Sequence, residues 1–576
     1  MSKVIYVCYR YPNSISIANR LETICHRLTP DNIISHPSKI LVREDIAYGV
    51  TNPTDSILQK GNSLLLGKLF GEYSDWWKPS SAFPDGSFAL FRNGGESLEI
   101  LTDPAGSRTI WYYLDQEIFI SSTSQRAITM LLGSFEFDER VIPWMLSTGS
   151  LGPCLSWHSK LNSIPPDSAV LLDKKKWSIA SKSNTSDFTI SDKSDNQQER
   201  TLREAMVETI ESLKLDLSTW ILPLSGGYDS RGLLSLLQQT GRNLEELKTI
   251  TWGLKSSIHL RRTDAYVASK LAHSLKVCHQ FYHTDSSEEP AHNIINRFLS
   301  LGEGRIDHIS AYMDGFTIWK MLFETGVQGV IRGDEGFGWL EVSSPLTVRH
   351  SIGCAFCTDF ANLRNYQGFG FADQELPQNL LRSPGESLAQ WRDKLYHGFR
   401  LPSILSSLSD LKLPYVEIVN PWLSRKVLLE VRRQPDHLRT DKFLYRKIVS
   451  SLGPQVAYAT RSSIASPRNV LASSDIEEIL REELSSSCAR DLFPTSFLNY
   501  LRKGLKTDRQ AMGTKTLKSS IFEDIAKRIM PRSLLNAVLD HAYSPRLNHN
   551  LLAFRILIIS RMNTILLEDS RAIRHQ

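Results

Sequence analysis

The stretch "TWILPLSGGYDSRGLL", Thr219 to Leu234, places an apolar, β-leaning run directly before two glycines, two serines and an aspartate. A strand that turns through Gly-Gly into a helix makes an anion site, because the first helical N–H groups lack internal partners and the helix dipole favours negative charge there. Gly226 and Gly227 let the backbone approach a phosphate, and Ser225 and Ser230 can donate hydroxyls. Asp229 cannot face a phosphate without a cation between them, so the turn predicts a cradle for magnesium pyrophosphate. It lacks the Lys-Ser/Thr ending of a Walker A loop, so γ-phosphoryl transfer is not implied.

Such a turn needs a sheet to hold it. From "TLREAMVETIESLKL" onward the chain alternates helix and strand: "TWILPL", a helix from about Ser230, "LKTITWGL", a helix over "DAYVASKLAHSL", then "VCHQFYH". Strands separated by helices of that length imply βαβ units and a parallel sheet. Beyond Gly338 the pattern is mostly helical. Residues 1–180 differ, with short alternating runs such as "KVIYVCYR", "SFALFR" and "SAVLLD" between turn-forming clusters, which predicts a β-rich domain. Residues 181–200 are Ser-, Asp- and Lys-rich with almost nothing to bury and read as a linker or mobile loop. The remainder, 201–576, is the nucleotide-binding part.

With 41% hydrophobic and 22% charged residues, the 576-residue chain can bury a real core. Its +5 charge, from 67 basic and 62 acidic residues, is too small for a nucleic-acid signature. Seven scattered cysteines without framework spacing suit a reducing compartment. Cys354 and Cys357 are the only close pair, and without a second pair they read as structural thiols, not as a zinc site. No window reaches the ~18 uncharged apolar residues of a membrane span, so no membrane partner and a cytoplasmic location are expected. The apolar run Leu551 to Leu567 is interrupted by Arg555 and Arg561 and reads as a core helix, with membrane-surface binding as the alternative.

"SGGYDS" resembles the SGGxDS PP-loop of the ATP pyrophosphatases, which cleave ATP between its α- and β-phosphates. Further segments follow in order. "ITWGL" with Asp264 resembles the adenine-side strand and following helix of the asparagine synthetase family, and "RGDEGFGW" resembles its Asp-Glu-x-Phe-Gly loop. "VEIVNPWLSRKVLLEV" and "DKFLYRKIV" resemble its Val-Glu-x-Arg-x-Pro and Lys-x-x-Leu-Arg segments. The resemblance implies an α/β protein: an N-terminal Ntn-hydrolase-like, glutaminase-like β-sandwich, then a PP-loop parallel-sheet synthetase domain with a helical C-terminal part. It assigns ATP to Leu224, Ser225, Gly226, Gly227, Asp229, Ser230, Trp252 and Gly333, and Mg²⁺ to Asp229 and Asp334. Lys442 is the expected counter-charge to departing pyrophosphate, and Glu417 the expected acceptor of the amine's proton.

The N-terminal half resembles the family's glutaminase domain through "FPDGSFALFRN", "DPAGSRTIWYY" and "FISSTSQRAI". Glutaminase chemistry needs an N-terminal cysteine, and position 2 is Ser2; Lys68 in "LGKLFG" replaces the glutamate that would hold the substrate amine. Glutamine hydrolysis is therefore not expected. Asparagine synthetases carry a glutamate, and β-lactam synthetases a tyrosine, three positions before the residue matching Asp334; here stands Ile331. The resemblance then points to the cyclases that close lasso peptides: ATP-dependent, AMP-forming ligases joining the N-terminal amine of a ribosomally made precursor peptide to an internal Asp or Glu, with a leader protease as partner. An ammonia-using amidotransferase acting on aspartate or a sugar acid, a β-lactam-type synthetase and an inactive scaffold remain alternatives. The segment Phe356 to Leu381, read as helical, carries five aromatics that either line a peptide cavity or pack on themselves.

Overall fold

The computed structural model describes residues 3–11, 17–54, 56–285, 287–507 and 545–573. Ser2 lies outside the described residues. The alternating runs of the N-terminal half form two antiparallel sheets of six strands each. The first runs, edge to edge, Asn162–Ser163, Trp111–Leu114, Ile118–Ser122, Val4–Tyr9, Ile46–Val50, Lys39–Val42; the second runs Ser178–Ser183, Ser168–Asp173, Ser97–Thr102, Gly86–Asn93, Ser63–Leu69, Ile57–Lys60. Alternate residues of both sheets meet in one core, where Tyr6 stacks on Tyr48 at 5.5 Å and on Phe91 at 5.6 Å. Helices Ile17–Arg27 and Gln125–Leu132 cover the outer face of the first sheet through Leu21, Ile24 and Ile128.

The segment expected as a mobile linker over 181–200 is shorter and docked. Strand Ser178–Ser183 runs into it from one side. From the other, Ser194 and Gln197 form a capping box that starts helix Asp195–Ser212. Between them, the Ser191 N–H donates to the Arg433 carbonyl at 2.9 Å, and Gln198 Nε2 donates to Ser191 Oγ at 2.9 Å.

The second half is built on a five-stranded parallel sheet ordered Cys278–His283, Lys248–Gly253, Trp220–Pro223, Gly329–Ile331, Glu417–Val419. Trp220–Pro223 is first in sequence and central in space, so the chain winds outward from it in both directions. Loops leaving the adjacent strands Trp220–Pro223 and Gly329–Ile331 therefore diverge at their carboxyl ends, which opens the crevice where open α/β sheets bind ligands.

Helix His549–Asp569 is long and apolar enough to cross a membrane by length and composition, yet 67% of its most apolar window is buried within the fold. Arg555 donates to Asp307 at 2.7 Å and to the Leu146 carbonyl at 2.7 Å, while Arg561 pairs with Glu483 at 3.0 Å. Residues 356–381 hold three short 3₁₀ turns, not helices, at Cys357–Asp359, Tyr366–Phe369 and Gln378–Leu380. Phe369 lies 4.8 Å from Phe497 and Phe371 5.7 Å from Phe493, so these two aromatics pack against the helical core. Cys354 and Cys357 are buried free thiols.

Candidate active site

Ser225 to Tyr228 connect the central strand to helix Asp229–Gln239. The Leu224 N–H donates to the Ile250 carbonyl at 2.7 Å, which fixes the exit of the strand, and Leu224 itself is buried. Ser230 Oγ accepts from the Ser225 N–H at 2.9 Å and lies 3.2 Å from Ser225 Oγ, while the Gly227 N–H donates to Ser225 Oγ at 3.2 Å. The Gly226 N–H donates to Asp264 Oδ1 at 3.2 Å. A Cβ on Gly226 would lie 2.3 Å from Ala459 Cβ, so glycine is required by close packing there; on Gly227 it would meet only Ser225 Oγ, at 3.4 Å.

The second loop, Arg332 to Gly338, presses on the first. A Cβ on Gly333 would lie 3.0 Å from the Asp229 carbonyl carbon and 3.0 Å from the Ser230 nitrogen, so only glycine allows this approach to the helix N-terminus. Lys442 Nζ reaches both loops, 2.6 Å from Glu335 and 3.4 Å from Asp229. Asp334 accepts from Arg332 at 2.9 Å, and its charge acts on Asp229. Three carboxylates thus face two cations. Burial raises the Asp229 and Glu335 carboxyls above the ordinary range against the opposing pull of Lys442. Burial also opposes the charge on Lys442, but Glu335 and Asp229 outweigh it and raise its pKa. Asp441 and Lys442 both adopt left-handed backbone, at φ 55° and 56°, a strained presentation that the Asp441 N–H bond to the Trp339 carbonyl holds in place. Trp252, at the carboxyl end of the neighbouring strand, is half-buried edge-on to Trp319 at 5.5 Å.

Among the described residues no cluster of three or more His, Cys, Asp or Glu could cage a metal. The fit to Mg²⁺ is of another kind, since that ion takes one or two protein carboxylates and leaves its other positions to water and phosphate. Asp229 and Asp334 stand on separate loops, near enough for the charge of one to act on the other, and are carboxylates of the kind such a site uses.

Glu417 is not among these groups. It opens its strand opposite Gly329, at the end of the sheet away from the loops, and is buried in an ion pair with Arg108 of the N-terminal sandwich. Burial opposes its charge, but Arg108 prevails and holds the carboxyl down at about 2. A carboxylate held so firmly ionised by a buried guanidinium is a poor proton acceptor, which corrects the role expected for it. The carboxylate beside Lys442 is Glu335, next to Asp334 in the same motif. Asp264, which accepts from the Gly226 N–H, is a further carboxylate at the turn. Ile331 is wholly buried beside Val419. Lys68 is half-buried, with Nζ 5.8 Å from the centre of the Trp220 ring.

No family model matches the chain, and no curated protein matches it either. Several solved structures resemble part of it, two of which follow. One, titled as the allosteric regulatory enzyme of purine biosynthesis, is 8% identical, with 49% of this chain and 81% of that one covered at a TM-score of 0.21. The other, glutamine phosphoribosylpyrophosphate amidotransferase from B. subtilis complexed with ADP and GMP, is 8% identical, with 49% and 82% covered at a TM-score of 0.20.

Proposed function

We propose that this chain is an ATP-dependent, AMP-forming ligase that activates an Asp or Glu side chain of a ribosomally made precursor peptide and closes it with the peptide's N-terminal amine, as lasso peptide cyclases do. The observation that carries the reading is that Lys442 meets Asp229 and Glu335, from three separated segments, at the switch point beside the Ser225–Ser230 turn, with Asp334 near enough for its charge to act on Asp229. The substrate carboxylate would attack the α-phosphorus of ATP and expel pyrophosphate; the amine would then displace AMP and lose a proton. Mg²⁺ held by Asp229 and Asp334 would offset negative charge on the phosphates. Lys442, kept protonated by its two carboxylates, is placed to offset the rest, and the Ser225 and Ser230 hydroxyls with the first amides of helix Asp229–Gln239 are suited to orient the leaving group. No γ-phosphate chemistry is required of any of them.

An amine other than ammonia is favoured by Ser2 and Lys68, which stand where a glutaminase needs its nucleophile and its substrate-holding carboxylate. A leader protease that frees the core peptide's N-terminus is the corresponding partner. Incubation of the purified protein with ATP, Mg²⁺, a precursor peptide and its protease should release AMP and pyrophosphate and give a product lighter by one water in mass spectrometry. Asparagine and AMP formed from aspartate and ammonia, with the peptide left unchanged, would replace this reading with the amidotransferase one.

A further inference from the structure

A cavity of about 750 Å³ lies between the sandwich, the segment Ser183 to Phe188 and the helical region after Gln378. That volume is within the range of small-molecule sites, roughly 300–1,000 Å³. None of the residues assigned to ATP or Mg²⁺ lines it. Exposed residues of two segments, Thr185 and Ser383, form part of its wall, so it reaches solvent. Apolar side chains such as Trp111, Leu155, Ile164 and Leu380 alternate there with serines.

Three cations reach this cavity, and their partners differ. Arg305 is paired with Asp410, and Lys394 with Glu386 at 2.7 Å. Arg432, only 7% exposed, instead donates Nε–H to His397 Nδ1 at 3.2 Å and Nη1–H to Ser186 Oγ at 3.3 Å, and it makes no ion pair among the described residues. Both partners are neutral. His397 Nε2 lies 2.8 Å from the Gly336 carbonyl, which can only accept, so Nε2 carries the proton and Nδ1 the lone pair offered to Arg432. Burial, with the Arg432 charge adding to it, holds the imidazole down at about 3. Burial likewise lowers Arg432, to about 10, although the charges of Asp167 and of Asp187, which also lines the cavity, pull the other way. Asp167 is already held by Arg425 at 2.5 Å. A guanidinium desolvated beside two neutral groups, at the wall of an open cavity, is an unmet charge that a ligand anion can satisfy.

We propose that this cavity is a second binding site, in which Arg432 receives the carboxylate of a small organic acid with an apolar body. A single unpaired cation calls for a monoanion, whereas a phosphate dianion would need the charges that Asp410 and Glu386 already occupy. The apolar stretches call for a body beyond the carboxylate. The carboxylate could come from an acylated amino acid or from the free C-terminus of a peptide, and the site does not depend on the ligase reading given above.

Calorimetric titration of the full chain tests this with N-acetyl-leucine, its amide, a tetrapeptide ending in free leucine and inorganic phosphate. At least one of the two carboxylates should bind, the amide about tenfold or more weakly, and Arg432→Gln should remove the difference between acid and amide. Binding of the amino-acid derivative or of the tetrapeptide identifies the source. The comparison of acid with amide on the unmodified protein decides the matter even if the Arg432 variant fails to fold. Equal binding of acid and amide, no binding by either carboxylate, or tighter binding of phosphate would overturn the assignment.

Discussion

Lys442 is the hinge of the site at the scale of single residues, because one ammonium serves two buried carboxylates from different loops. Removing it should do two separable things. Lys442→Met leaves Glu335, almost wholly buried, without its partner, so stability should fall by ~3 kcal/mol, read as a lower melting temperature. ATP-dependent pyrophosphate release should fall by about a hundredfold or more, the cost typical of losing one preorganised charge donor. Glu335→Gln keeps a hydrogen-bond acceptor for Lys442 and should restore most of the stability relative to Lys442→Met. Pyrophosphate release unchanged in Lys442→Met would remove the lysine from the chemistry.

At the scale of elements, the turn that opens helix Asp229–Gln239 separates packing from ligand approach within two adjacent glycines. Gly226→Ala forces a methyl into Ala459 and Val267, the second at 2.9 Å, and should cost about 1–3 kcal/mol of stability. Gly227→Ala meets only Ser225 Oγ, so the melting temperature should stay near the parent's while nucleotide affinity drops, because the new methyl stands where a phosphate would approach. Equal destabilisation by the two variants would contradict this division. What could be read from the chain follows the same logic of range. The strand, Gly-Gly turn and helix were legible because each signal is local, and the helix expected over "DAYVASKLAHSL" is observed as Asp264–Leu275, with Thr263 as its cap. Asp334 and Glu335 are neighbours of like chemistry, so which of them faces Lys442 depends on how the loop is folded over Gly333. The surroundings of Glu417 are not legible in the sequence, because its partner Arg108 lies 309 residues away and no local pattern reports that pairing.

At the scale of the molecule, buried charges tie the sandwich to the parallel-sheet half. Lys3 pairs with Glu303 at 2.5 Å, Arg126 with Asp569 at 2.6 Å, Arg425 with Asp167 at 2.5 Å, and Arg108 with Glu417. The Arg425 N–H also donates to Asp85 at 2.9 Å, which joins the helix start at Arg425 to the strand edge at Gly86. Such pairs repay their desolvation only while both members are present, so the halves should unfold as one cooperative unit, without a melting step for either alone. Arg108→Met tests the idea, since it takes a buried cation away from the Glu417 carboxylate in the interface. The loss should be about 3–5 kcal/mol, and it should lower the melting of both halves together in a calorimetric scan. Replacing both members, as Arg108→Met with Glu417→Leu, should recover most of that loss, because two apolar groups of similar bulk carry no unmet charge. If the single variant instead splits the scan into two transitions, with the parallel-sheet half melting at its original temperature, the sandwich is an appended domain and the ion pairs across the junction do not couple it to the site.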